Sequence, residues 1–95
     1  MDEKLYCISY DLIAPGRDYE ELYKAIKSFS AWWHQTESVW FVKSSNDAAV
    51  IRDYLKQSID TNDKLFVIQV VKNWGGIGFT KKEYDWLNKH FKQSK

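Results

Sequence analysis

The chain has one cysteine, one proline and four glycines, and its 14 basic residues are almost cancelled by 13 acidic ones. Each shortage closes off a class of protein. The lone Cys7 leaves no internal disulfide and no multi-cysteine zinc site. It is expected to be an inert buried thiol in a reducing cytoplasm. A net charge of +1 lacks the basic excess with which proteins hold long nucleic acid by bulk electrostatics, so only a local basic patch is left. No apolar run reaches the ~20 residues of a membrane-spanning helix. Met1 is followed at once by Asp2-Glu3-Lys4, which predicts no apolar signal region.

What the chain has in excess is rings. Aromatic residues make up 17% of it, more than a small monomer core easily absorbs, so the surplus is expected to line an interface or a base-stacking site. Hydrophobic and charged fractions of 44% and 28% belong to an ordered globular protein. Residues 1–95 form a single domain, with a core over 4–71 and a glycine loop and helix over 72–95. So small a domain buries a limited share of its surface, and pairing with a second copy would help it.

The densest stretch is Ala31 to Val42, where Trp32, Trp33 and Trp40 flank a Thr36-Glu37-Ser38 break. It reads as a β-hairpin, with Trp32 and His34 on one face of the first strand and Trp33 and Gln35 on the other. Before it, Lys4 to Leu12 alternates as a strand: Leu5, Cys7, Ser9 and Asp11 face one way, Tyr6, Ile8 and Tyr10 the other. Pro15-Gly16 predicts a turn. Asp18 to Phe29 reads as a helix capped by Asp18 with Glu21 three residues on, burying Tyr19, Leu22, Tyr23, Ile26 and Phe29. Glu20, Lys24 and Lys27 fall on its wet side.

After the hairpin, a helix runs to about Ile59 with Ile51, Leu55 and Ile59 on its inner stripe and Ala48 just above them. A polar turn, Asp60 to Asp63, precedes a strand over Leu65 to Val71. That strand is apolar on both faces except at Gln69, so both faces need cover. Thr80 and Glu83 predict a capping box for a last helix with Tyr84, Leu87 and Phe91 inward. The fold class expected is α+β: a ferredoxin-like βαββαβ sandwich with an extra C-terminal helix.

Few residues invite chemistry. Asp11, at a strand end beside a loop, suits a Mg²⁺ or Mn²⁺ ligand, or a turn-former bonding its own following backbone. Two copies of Asp11 at a dimer axis would hold one ion and activate water for phosphodiester attack. His34 suits a phosphate contact or an acid–base role, or a packed ring with one hydrogen bond. Trp32, Trp33 and Trp40 suit base stacking, or the core. His90 reads as a helix-end residue. Gly75-Gly76-Ile77-Gly78 lacks the Gly-Lys-Ser/Thr ending of a phosphate loop.

Ile8-Ser9-Tyr10-Asp11-Leu12 and Gln35-Thr36-Glu37-Ser38-Val39-Trp40 together resemble the opening strand and the Gln-x-x-Ser-Val-aromatic hairpin of the CRISPR-associated protein 2 family. The Trp32-Trp33-His34 run and Trp86-Leu87-Asn88-Lys89-His90 look closer to a bacterial and phage offshoot often labelled SinR family. The resemblance implies a homodimer with sheets facing each other, and a non-catalytic, DNA-bridging role in the CRISPR adaptation complex. It implies a metal-dependent endonuclease on RNA or DNA in some members, with Asp11 matching the metal-binding aspartate. Tyr10, Arg17, Trp32, Trp33 and His34 are the residues expected to meet nucleic acid. The chain differs from that family in its near-neutral charge, in His34 at a position often basic, and in its tail after Val71. Two alternatives stand beside the nuclease. One is a non-catalytic module holding a nucleotide, RNA or DNA; the other is a toxin–antitoxin or anti-defence protein that binds another protein.

Overall fold

A computed structural model describes residues 2–13 and 19–92 of the chain. The expected Pro15-Gly16 turn, the Asp18 cap, Arg17 and residues 93–95 lie outside the described residues. The elements in order are β1 (Lys4–Asp11), α1 (Glu20–Lys27), β2 (Ala31–Thr36), β3 (Val39–Ser44), α2 (Ala48–Lys56), β4 (Lys64–Gln69) and α3 (Lys81–Lys92). The strands form one antiparallel sheet in the order β2-β3-β1-β4, an α+β architecture. Among the described residues no helix is long and apolar enough to cross a membrane.

The two faces of the sheet are covered differently, and strand alternation decides which residue goes where. Tyr6, Ile8, Trp40 and Val42 face α1 and α2. They close a core with Leu22, Ile26, Ile51 and Leu55, all of them buried. Tyr23, Phe29, Ile59, Leu65 and Val67 pack around its margin. The expected apolar stripe of α1 is therefore the buried one, although the helix begins at Glu20, with Tyr19 as its N-cap.

On the second face Leu5 and Trp33 meet Leu87 and Phe91 of α3, with Phe41, Trp74 and Phe79 at the edges. The capping box of α3 is reciprocal: Thr80 N–H donates to Glu83 Oε1 at 2.9 Å and Glu83 N–H to Thr80 Oγ1 at 3.3 Å. α3 covers only the part of this face near β2, β3 and the start of β1. The β1–β4 half is bare: Phe66 and Ile68 are 59% and 53% exposed, in register with Ser9 and Cys7. Cys7 is consequently half-buried rather than enclosed. Burial still pushes its thiol pKa up, which keeps it unreactive.

The hairpin departs from plain alternation. Trp33 pairs with Phe41 and Thr36 with Val39, so His34 and Gln35 stand opposite Trp40 alone. Two residues facing one is a β-bulge. It carries Gln35 to the same side as His34, not to the side of Trp33 as strict alternation predicts. The β2–β3 connection is only two residues, Glu37 and Ser38, and no described non-glycine residue has positive φ. The primed turns that suit a regular two-residue hairpin are thus excluded, and the ladder shifts instead.

Candidate functional site

Two candidate regions result, on opposite faces of the sheet. The first is a cleft of about 380 Å³ on the helix face, between α1 and the hairpin. Trp40 forms its floor and is almost fully buried; its indole N–H donates to Tyr10 Oη at 2.9 Å. His34 lies flat on Trp40, with centroids 3.7 Å apart and planes within 4°. Trp32 leans against Trp40 at 5.5 Å and 53°. Tyr23 stacks on Trp40 at 6.2 Å, with planes within 23°. Lys27 Nζ stands 5.3 Å from the centre of the Trp32 ring, a cation–π contact.

The bulge also orients His34. Its Nδ1 lies 3.0 Å from the carbonyl oxygen of Val39. A carbonyl only accepts, so Nδ1 carries a proton and donates it here. Thr36 Oγ1 donates to the same oxygen at 3.4 Å. Side chains therefore replace a ladder bond that the bulge removes, and Nε2 is the nitrogen left for a ligand. Desolvation by the surrounding rings raises the pKa of Tyr10, which stays a neutral hydroxyl.

The second region is at the end of β1. Asp11 is exposed and pairs in register with Lys64. With Ser9 and Phe66 they line a depression of about 200 Å³. The turn-forming work expected of Asp11 falls to Asp63. Its carboxylate accepts from Ile13 N–H at 2.8 Å, from Tyr19 O–H at 2.7 and 2.8 Å, and from Asp60 N–H at 2.8 Å. The Asp11 carboxylate accepts no hydrogen bond among the described residues, so its oxygens remain available as donors to a cation. No group of three or more His, Cys, Asp or Glu residues lies together among the described residues.

The expected site residues thus divide into three. Trp32 and His34 share the helix-face cleft, while Tyr10 is bonded to the floor residue Trp40 and lines the depression beside Asp11. Asp11 points from the opposite face. Trp33 is a buried wall of the second core, its indole N–H donating to Glu83 O at 3.3 Å, and it borders an apolar cavity of about 360 Å³ under Trp74 and Gly76. A single recess holding the tryptophans, His34 and Asp11 together is therefore not formed among the described residues of one chain. The sequence reading also passed over Glu20, Tyr23, Lys27 and Gln35, all of which line the cleft. The spacing 20–23–27 does mark one side of a helix, but which neighbour that side meets is set by tertiary packing.

His90 stacks over Trp86 on α3, with centroids 4.0 Å apart. Burial, and then the nearby Lys43 and Lys89, lower its pKa, with Glu3 opposing. Lys43, itself buried at the end of β3, has its ammonium destabilised by desolvation and partly restored by Glu3. This group anchors the end of α3 and lies away from both candidate regions.

No family model matches the chain. No solved structure matches it significantly.

Proposed function

We propose that the chain is a cytoplasmic homodimer of the ferredoxin-like type, related to CRISPR-associated protein 2 and nearer its SinR-family offshoot, and that it cleaves RNA or DNA with Mg²⁺ or Mn²⁺. The order β2-β3-β1-β4, with α1 and α2 on one face, supports the ferredoxin-like reading, and α3 is the addition. The observation that carries the proposal is the bare β1–β4 half of the second face. Phe66 and Ile68 form an apolar strip there that needs cover, and Asp11 stands at its end.

A second copy laid on that strip brings another Asp11 to the same region. An exposed carboxylate without a protein partner fits one ligand position of a hard cation, and two chains supply two. A divalent ion held so would supply an activated water and charge neutralisation at the scissile phosphate. Lys64, paired with Asp11 in register, is placed to attract the phosphate backbone.

The test is incubation of the pure protein with labelled single-stranded RNA and double-stranded DNA, with and without each metal. Cleavage is expected only with the ion, and is expected to disappear in Asp11→Ala. Absence of cleavage removes the nuclease reading, and cleavage that survives this substitution removes Asp11 from the mechanism.

A further inference from the structure

We infer that the cleft between α1 and the hairpin binds a single unstacked nucleotide through its base and its phosphate. The cleft lies on the face opposite Asp11, so this inference goes beyond the nuclease reading and does not rest on it.

Three features converge. Trp32 is the one exposed tryptophan of the five, at 41%, and contact with the buried Trp40 fixes its angle. A held, exposed indole is a platform for any base, because every base has a π-face. Lys27 Nζ stands over that ring, 5.3 Å from its centre, and makes no ion pair among the described residues, so it is a cation beside the platform that suits a phosphate. His34 Nε2 and the Gln35 amide offer polar edges beside the platform, of the kind that bond base edges or sugar hydroxyls.

Competing ligands satisfy fewer of these groups. A purely apolar molecule would desolvate Lys27 and His34 with nothing in return. An acidic peptide offers the anion but no flat ring. Glu20 lies two helical turns from Lys27, roughly 10 Å along the axis. Lys27 is the cation of the cleft lining, and the phosphate belongs at its end. At about 380 Å³ it stands near the small limit of ligand pockets, roughly 300–1,000 Å³. That admits one nucleotide and excludes a duplex. The nucleotide is either free or an unpaired residue of a strand.

Calorimetric titration with the four ribonucleoside monophosphates, the matching nucleosides and a single-stranded RNA hexamer tests this. Saturable binding of at least one monophosphate is expected. Trp32→Ala should weaken it about tenfold or more, the cost of losing one stacking partner. Lys27→Gln, a surface change, should weaken the monophosphate and leave the nucleoside unchanged. Asp11→Ala should bind as the parent does, which separates this site from the proposed nuclease centre. A hexamer binding more than tenfold tighter than its monomer identifies a strand as the source; equal affinities identify the free nucleotide. No heat with any ligand at millimolar concentration overturns the inference. So does binding that neither Trp32→Ala nor Lys27→Gln alters in a protein that keeps its circular dichroism.

Discussion

Asp63 shows how much one side chain can hold together. Its carboxylate ties Ile13 and Tyr19, distant in sequence, to the turn that starts β4. These bonds are charge-assisted and partly buried. Asp63→Ala is expected to lower unfolding stability by about 1–3 kcal/mol, measured by urea titration. Nothing in the sequence announced this, because the partners stand 44 and 50 positions away. Trp40 was easier to read: strand alternation puts it on the inner face, although its bond to Tyr10 was not visible. Trp40→Phe removes that bond and shrinks the surface under His34. It is expected to cost about 2 kcal/mol or more by the same measurement.

At the scale of elements, the start and the inward stripe of α3 were legible. The Thr80–Glu83 box and the Leu87–Phe91 stripe are local signals, and local signals survive in a sequence. Thr80→Ala should therefore destabilise by about 1 kcal/mol. The anchoring of α3 also has a pH dependence. The folded protein holds the His90 pKa below its unfolded value through burial and the neighbouring Lys43 and Lys89, with Glu3 opposing. The unfolded chain therefore takes up a proton first, near pH 6.5, and stability falls as pH drops below about that value. Thermal unfolding at pH 7.5 and 5.5 should show a smaller acid loss for His90→Phe than for the parent. The hairpin was read less well. Its two strands and its break were plain, but the bulge at His34–Gln35 carries no sequence mark, since it arises from turn geometry and pairing register together.

For the molecule as a whole, the sequence already required cover on both sides of the strand after Asp63. The structure divides that requirement. Helices take Leu65 and Val67, α3 takes Val70, and Phe66 and Ile68 stay bare. How far α3 would reach across the second face could not be read, because the path of the segment 70–80 sets it. Phe66→Glu is expected to convert a dimer into a monomer with an unchanged far-ultraviolet spectrum, as judged by sedimentation velocity. A parent that already sediments as a monomer at micromolar concentration would remove the proposed pairing.

The sheet is a single layer with Asp11 on one side and the Trp32–His34 cleft on the other. If two copies close over the bare strip, both clefts are turned to the outside of the particle, back to back. The assembly is then bivalent: it can clasp two residues of one long strand or tether two strands to each other, and its grip depends on the spacer between them.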